Sequence, residues 1–374
     1  IVFFTFLKDN WPRREDWAWM IRLGGMLGQH EVPSHRFNAG EKIVFWGGVF
    51  LLGAIVIGSG ISGGWAAKEL CDKGLKTLVL ERGRSVLHNK DYPTAVKDPW
   101  QFEHRLQLPK KMVEENPIVS KCYAFDESAS HFFVKDKEHP YVQEKPFNWI
   151  RQRVLGGRSL SWGRQSYRMS NLDLKAASHD GYGDDWPVSY EELVPFYERV
   201  EKYVGISGLA EGLSQLPDSI FQPAMPFTCG EQILRDKVKA KFGRVVTMGR
   251  TAILTKPLNG RQACHYCGPC EQGCVTYSYF SSPFTTVKDA QNTGRLTLVT
   301  DAVAARVITK NGKASAVQYI DRNTRDVREV RAKVCTAEAE AQRRDYRQRL
   351  LKGARVDWHR DAVAAALGPA VAER

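Results

Sequence analysis

The sequence predicts an α/β protein whose core is a parallel sheet, and three observations carry this prediction. An apolar run at 54–57 ends in a glycine-rich turn at 58–63. A helical pattern follows over 64–73, and a second apolar run over 75–80 ends at an acidic residue. A strand, a glycine turn, a helix and a second strand within about thirty residues form the βαβ unit of a Rossmann-like sheet.

Composition places the chain among globular proteins. Of its 374 residues, 43% are hydrophobic and 26% are charged, which argues against a wholly disordered, collagenous or disulfide-knotted protein. The formal net charge of +12 favours anionic partners, but no basic block alternates with aromatic residues as a nucleic-acid groove requires. We therefore interpret the charge as a solvated basic surface and predict no nucleic-acid partner.

The region before the βαβ unit, residues 1–53, is interpreted as an N-terminal extension. Residues 43–67 carry no charge, and a hydropathy window would mark residues 43–63 as a membrane span. The second half of that segment reads as a strand and a glycine turn, whose backbone is satisfied in a sheet. The remaining residues, 43–53, are fewer than the roughly twenty that cross a bilayer, so we expect no spanning helix.

Beyond the βαβ unit, shorter patterns continue the alternation of helix and strand. Ser189 and Glu192 form a capping box at the start of a helical pattern. Residues 296–307 and 314–320 predict two strands separated by a turn at 311–313. Between the first strands and these last ones, we expect a partial α+β substrate domain.

The glycine turn of the βαβ unit has the spacing Gly58-x-Gly60-x-x-Gly63. Gly58 permits the tight turn, Gly60 lets a pyrophosphate approach the backbone, and Gly63 lets the helix pack closely on the strand. The start of the helix then offers N–H groups and positive dipole to the phosphates. Glu81 ends the next strand, where a carboxylate accepts hydrogen bonds from ribose hydroxyls. The combination predicts a dinucleotide-binding site.

A second motif lies about ninety residues further on, within residues 151–170. Gly156 and Gly157 are followed by Ser159 and Gly163. Such a run exposes backbone donors and is able to form an anion-binding nest. We expect this loop to lie beside the same dinucleotide.

Together the two motifs resemble the glucose-methanol-choline (GMC) family of FAD-dependent oxidoreductases. Residues 183–208 and 280–308 resemble the family's next landmarks, so the likeness covers residues 54–333. It implies phosphate and adenosine contacts from Gly58, Gly60, Ser62, Gly63, Glu81, Arg82, Gly156, Gly157, Ser159 and Gly163, and a backbone contact to adenine near Ala304. Arg158 and Trp162 depart from the family's usual residues, so no contact to the flavin ring is transferred there.

The resemblance is closest to the bacterial sugar and alcohol dehydrogenases of this family. It implies FAD as the cofactor and a small-molecule alcohol or sugar as the substrate. In such enzymes a hydroxyl group loses its proton to a base and its hydride to the flavin. The family's catalytic histidine lies in a C-terminal region that the Ala- and Arg-rich tail, residues 334–374, does not match. We therefore assign no catalytic residue and expect an incomplete GMC-type enzyme.

Two alternatives remain beside this interpretation. One is a non-catalytic fusion or truncated fragment that at most binds FAD. The other is an NAD-dependent enzyme, which is less favoured because the Gly-Gly-x-Ser loop belongs to the flavin pattern. The compartment stays open: related dehydrogenases are cytoplasmic, periplasmic or membrane-associated through partner subunits.

Four of the eight cysteines, Cys264, Cys267, Cys270 and Cys274, crowd into one loop with intervals typical of a bacterial ferredoxin but without the following proline. Thiolates at these intervals can converge on an iron–sulfur cluster or on zinc, or they can stay unligated or partly disulfide-bonded. The family resemblance adds that some sugar dehydrogenases carry a cluster here and pass electrons to a cytochrome partner. The scattered Cys71, Cys122, Cys229 and Cys335 are expected to be packing residues.

Residues 10–53 resemble a different protein, the cytochrome b (gamma) subunit of membrane-bound formate dehydrogenases. The likeness stops where a transmembrane helix should continue. It implies that residues 1–53 are a foreign fragment. A single truncated helix cannot supply paired axial ligands, so no haem site is expected.

Overall fold

A computed structural model describes residues 54–310 and 313–332. The resemblance over residues 10–53, the turn at 311–313 for the most part, and the tail 334–374 lie outside these residues. The helices are α1 Ile61–Asp72, α2 Lys110–Glu115, α3 Asn171–Leu174, α4 Ala176–Asp180, α5 Tyr190–Val204, α6 Cys229–Phe242 and α7 Thr286–Asn292. The strands are β1 Ala54–Ile57, β2 Thr77–Leu80, β3 Leu296–Val299, β4 Ala302–Lys310, β5 Lys313–Asp321 and β6 Val327–Arg331.

The first three strands form a parallel sheet in the order β1-β2-β3. Val56 pairs with Val79, which pairs in turn with Leu298. The predicted strand–turn–helix–strand unit is therefore confirmed. The helix begins three residues earlier than the pattern predicted, because Gly60 occupies the N-cap position.

Both faces of the parallel sheet are covered. On one face, Ala67 and Cys71 of α1 pack with Val79 and with Ala290 of α7. On the other face, Leu80 packs against the antiparallel sheet β4-β5-β6 through a cluster that includes Val317. Burial on both faces explains why β1 and β2 read as continuous apolar runs and not as alternating ones.

The single strand predicted over residues 296–307 is wrong, because two strands occupy it. The chain turns at Asp301, whose φ of 55° is left-handed, a conformation that aspartate tolerates better than most residues. The Asp301 N–H donates to the carbonyl of Gly83 at 2.9 Å. β3 therefore ends in the parallel sheet, and β4 starts the antiparallel one.

The segment between the two parts of the parallel sheet was expected to have α+β character. Residues 84–295, all of which the structure describes, contain α2 to α7 and isolated β-bridges but no extended strand. Aromatic and aliphatic side chains form the hydrophobic core of this segment, among them Phe125, Phe132 and Leu160. Within the described chain, no helix combines the length and the apolarity that crossing a bilayer requires.

The capping box predicted for α5 is confirmed. The Ser189 side chain accepts a hydrogen bond from the Glu192 amide, and the Glu192 carboxylate accepts one from the Ser189 amide at 2.9 Å. α6 begins in the same way at Thr228 and Glu231. Both helices thus satisfy their first amides with their own side chains.

Replacing Ser189 by alanine is expected to lower the free energy of unfolding by about 1 kcal/mol, because an N-cap hydroxyl satisfies an otherwise unpaired amide. Urea denaturation followed by far-ultraviolet circular dichroism measures the change. Ser214→Ala is the matched control, because Ser214 lies exposed in a loop and caps no helix. Equal stability of the two variants would contradict the assigned role of the cap.

Candidate functional site

The glycine turn joins β1 to α1 at the carboxyl end of the parallel sheet. Gly58 adopts a φ of 85°, which only glycine enters at little cost. A Cβ atom built on Gly63 would overlap the carbonyl oxygen of Gly58, so this position has no room for a side chain. A Cβ atom built on Gly60 would meet nothing within 4 Å. The turn is therefore tightly packed against α1 at Gly63, whereas the space beside Gly60 contains no protein atoms and is accessible to a ligand.

The start of α1 differs from the starts of the other long helices. Gly60 is its N-cap, and no side chain caps the first amides. Ser189 and Thr228 cap α5 and α6. Because the first amides of a helix have no partner within it, the N-terminus of α1 offers unpaired donors beside the open face of Gly60.

Glu81 directly follows β2, and its carboxylate contacts the glycine turn. One oxygen of its carboxylate accepts the amide of Ser59 at 2.9 Å and the Ser59 hydroxyl, and the other accepts the amide of Gly83 at 2.7 Å. Glu81 is only 7% exposed. An ionised carboxylate accepts about four hydrogen bonds, so one acceptor position is left for a ligand.

The Gly-Gly loop meets this turn through Ser59. The amide of Gly156 donates to the Ser59 hydroxyl at 2.9 Å. The Ser159 hydroxyl donates to the carbonyl of Gly156 at 2.7 Å and accepts the amide of Ser282 at 3.0 Å. The Ser282 hydroxyl closes the ring by donating to the Ser59 carbonyl at 2.7 Å. Two motifs about ninety residues apart are thus joined by a buried network.

This network assigns positioning roles that the sequence patterns did not. Ser59 and Ser282 are almost fully buried, and neither was among the predicted site residues. A hydroxyl residue between two glycines of the turn was a signal for Ser59. Ser159 was predicted to contact the cofactor, but both hydrogen bonds of its hydroxyl stay within the protein.

The other predicted residues lie around the same edge of the sheet. Ser62 is exposed in the first turn of α1, and Arg82 is half-buried directly after Glu81. Gly157 has a φ of 49°, and a Cβ on Gly163 would overlap the Gln165 side chain. Ala304 lies on β4 opposite Tyr319, two residues after Ala302, whose amide donates to the carbonyl of Glu81 at 2.8 Å.

Two large apolar side chains flank the open turn. Ile57 at the end of β1 is 53% exposed, and Ile61 at the start of α1 is 40% exposed. Apolar walls beside a few directed polar groups are typical of ligand sites. The edge therefore combines unpaired amides, a carboxylate with one acceptor left, and apolar surface.

The four clustered cysteines are not close enough together for three of them to share one metal ion. In the part of the chain that the structure describes, no three of their sulfur atoms lie within 4.8 Å of one another; the group that meets this criterion is Glu103, His104 and Glu127. All four thiols are free. Burial raises the pKa of the Cys270 thiol to about 11. The arrangement does not show a site for a single zinc ion, and the predicted iron–sulfur cluster stays a prediction.

Contacts with the rest of the protein fix the conformation of the cysteine loop. Arg164 donates to the Cys270 carbonyl at 2.6 Å and lies 3.3 Å from a Glu271 carboxylate oxygen. The Gln272 amide donates to Asp126 at 2.6 Å, and Tyr92 lies directly against Gly273. Arg164 thus holds the loop through the backbone of Cys270, and Asp126 and Tyr92 contact residues that lie between the cysteines.

The scattered cysteines follow the packing prediction in part. Cys71 and Cys122 are buried, whereas Cys229 is exposed at the start of α6. The packing role predicted for Cys229 is therefore wrong, because none of the residues of α6 is buried. Cys335 lies outside the described residues.

Comparison with known proteins points to oxidoreductases. The chain is 26% identical over 296 residues to the 2-methyl-1,2-propanediol dehydrogenase of Mycolicibacterium austroafricanum, covering 76% of this chain and 48% of that protein. It is 26% identical over 330 residues to the gluconate 2-dehydrogenase flavoprotein of Pantoea cypripedii, covering 79% and 52% respectively. Both relatives are dehydrogenases of hydroxyl compounds by name, and one is named as a flavoprotein.

The chain spans about half the length of these curated relatives. No family model matches it. Among solved structures, pyridoxine 4-oxidase from Mesorbium loti aligns with a TM-score of 0.42 and 14% identity, covering 75% of this chain and 48% of that one. None of these three proteins is a formate dehydrogenase subunit by name, so the likeness over residues 10–53 stays a prediction.

Proposed function

We propose that this chain binds FAD at the glycine turn and forms the nucleotide-binding part of an oxidoreductase that acts on the CH–OH group of an alcohol or a sugar. The observation that carries the proposal is the uncapped start of α1 beside the open face of Gly60. A pyrophosphate there would accept the free amides of the first helical turn and meet the positive end of the helix dipole. Phosphate contacts come from Gly58, Gly60, Ser62 and Gly63.

The position of Glu81 at the end of β2 indicates where the adenosine part of the cofactor would bind. Glu81 lies at the carboxyl end of this strand with one acceptor position left, which suits a ribose hydroxyl. Arg82 lies next to it, and Ala304 is near enough to Glu81 to offer its backbone to the adenine. The sheet edge thus supplies a ribose contact and a backbone contact to the base.

The Gly-Gly loop adds the second wall of the site. The Gly156 amide donates to Ser59, which holds the loop against the turn, and the Gly157 amide donates to the carbonyl of Val154 at 2.8 Å. The hydrogen-bond network through Ser159 and Ser282 fixes this loop before any ligand binds, which lowers the entropic cost of binding.

The substrate class comes from the two relatives, which are named for the oxidation of a diol and of gluconate. Bound flavin supplies the acceptor for a hydride from such a hydroxyl-bearing carbon. The residues of this chain bind and orient the cofactor, and none of them is assigned as the base.

The test is to equilibrate the purified full chain with FAD, remove free cofactor by gel filtration and quantify retained flavin from its visible absorption. About one FAD per chain is expected, with a submicromolar dissociation constant of the order needed to survive the column. Extraction and chromatography then identify the retained cofactor. A chain that stays folded by circular dichroism but retains no flavin, or that retains NAD in its place, would refute the proposal.

A further inference from the structure

Four arginines gather where β2 leaves the parallel sheet. Arg82 follows Glu81, and Arg151 and Arg153 precede the Gly-Gly loop. The two segments run side by side: Arg84 forms a parallel bridge with Val154, and a Cβ on Gly83 would overlap the backbone of Arg153. The close approach of the two backbones brings the arginine side chains to one edge.

The fourth arginine, Arg322, directly follows strand β5 of the antiparallel sheet. The Arg322 amide donates to the carbonyl of Asp301 at 2.8 Å, and the Asp301 amide donates to the carbonyl of Gly83 at 2.9 Å. The Arg322 guanidinium lies 3.6 Å from the Asp301 carboxylate. Arg322 therefore has a counterion, although it is a partly exposed one.

Among residues 54–310 and 313–332, the other three arginines have no carboxylate partner. Arg151 donates to the carbonyl of His139 at 2.7 Å and stacks 4.6 Å from the centre of the Trp149 ring. Among the residues that the structure describes, neither Arg82 nor Arg153 makes an ion pair or a hydrogen bond through its side chain. Arg151 is likewise without a carboxylate partner there.

Arginines dominate the local charge. Burial and the charges of Arg82, Arg151 and Arg322 lower the pKa of Arg153 to about 10. Burial and the neighbouring arginines also lower the pKa of His139, with Glu138 as the opposing influence. Half-buried like charges repel one another more strongly than they would in water, so an anion at this place would relieve the repulsion.

We propose that Arg82, Arg151 and Arg153 form a phosphate-binding site beside Glu81. The planar guanidinium group donates in pairs to the oxygens of a phosphate. Stacking on Trp149 fixes Arg151 in advance, so less side-chain entropy is lost on binding. Arg82 also lies beside the proposed adenosine contact at Glu81. The site stands apart from the proposed pyrophosphate contacts at the start of α1, and phosphate binding does not require flavin.

Two sources could supply this phosphate. One is free inorganic phosphate. The other is a phosphoryl group on the ribose of an adenine nucleotide, because the arginines adjoin the carboxylate proposed to hold the ribose. The chemistry at the three guanidinium groups is the same for both sources.

Calorimetric titration of the full chain with inorganic phosphate at constant ionic strength tests the site. We expect Arg153→Gln and Arg82→Gln each to weaken phosphate binding at least about tenfold, the effect of losing a charge-assisted hydrogen bond. Arg244→Gln is the matched control, because Arg244 is an exposed arginine outside the cluster, and it should bind phosphate as the parent chain does.

Thermal unfolding without phosphate is the second measurement. Arg153→Gln should unfold at the same temperature as the parent chain or above it, because it removes a repelled charge and no ion pair. A lower unfolding temperature would reveal a structural partner and overturn the proposal. Binding of phosphate no tighter than that of chloride, or unchanged binding in Arg153→Gln, would also overturn it.

Adenine nucleotides separate the two sources. If the phosphoryl group is on the ribose, adenosine 2′,5′-bisphosphate binds at least about tenfold more tightly than adenosine 5′-monophosphate, and Arg153→Gln abolishes the difference. If the source is free phosphate, the two nucleotides bind equally and inorganic phosphate still requires Arg153. Phosphate binding that is lost in Gly60→Ala but kept in Arg153→Gln would place the anion at α1 and refute the arginine site.

Discussion

A Gly60→Ala variant is expected to fold as the parent chain does and to lose at least about tenfold in FAD affinity, or about 1.4 kcal/mol. The added methyl group meets no protein atom within 4 Å, so it points into the space proposed for the pyrophosphate. Gly60 has a φ of −61° and an extended backbone that alanine also adopts. The loss should therefore fall on the ligand and not on the turn.

Retained flavin after gel filtration and the thermal unfolding temperature of the flavin-free chain are the two measurements for Gly60→Ala. Stability should change by no more than about 1 kcal/mol, because alanine is a poorer N-cap than glycine but restricts the unfolded chain. Gly230→Ala serves as the control for flavin retention, because Gly230 is exposed, a Cβ on it also meets nothing within 4 Å, and its φ is not left-handed. Full flavin retention by Gly60→Ala would show that no phosphate approaches this backbone and would contradict the proposed site.

The parallel sheet and its glycine turn were predictable because all of their information is local. Residues 54–57, 58–63 and 75–80 follow one another along the chain and carry the periodicity and the spacing by themselves. The capping box of Ser189 is local in the same way, since its two members are three residues apart. The sequence therefore predicted β1, α1, β2 and the start of α5.

The hydrogen-bond ring of the candidate site was not predictable from such patterns. Ser59 and Ser282 are separated by 223 positions, and no periodicity links them. The break at Asp301 was missed for a related reason: the residues on either side of Asp301 suit a strand, and the contact of Asp301 with Gly83 fixes where the chain turns. Long-range contacts decide such positions, and a single sequence does not display them.

The cysteine loop is a case in which a local pattern leaves the outcome open. Spacing makes convergence of four thiols possible, but side chains elsewhere decide whether it occurs. Arg164 and Asp126 come from distant segments and hold the loop at Cys270 and Gln272. Ligand spacing alone therefore does not decide whether a metal site forms.

A Gly63→Ala variant is expected to lose about 3 kcal/mol or more of unfolding free energy, the largest effect on stability that we predict. The added Cβ atom would overlap the carbonyl group of Gly58, which belongs to the backbone and cannot rotate away. Either α1 must move off the sheet or the turn must open. Both movements disturb the packing of Ala67 and Cys71 on Val79.

Gly230→Ala is the matched control for Gly63→Ala, because both glycines lie in the first turn of a long helix. A Cβ on Gly230 would meet nothing within 4 Å, so alanine should stabilise α6 by up to about 1 kcal/mol through its helix propensity. Urea denaturation of the two variants should therefore show changes of opposite sign. If Gly63→Ala were as stable as the parent chain, α1 would not pack against the turn as closely as the structure shows. The start of α1 would then not be fixed beside Gly60, and the phosphate site proposed there would not be preformed.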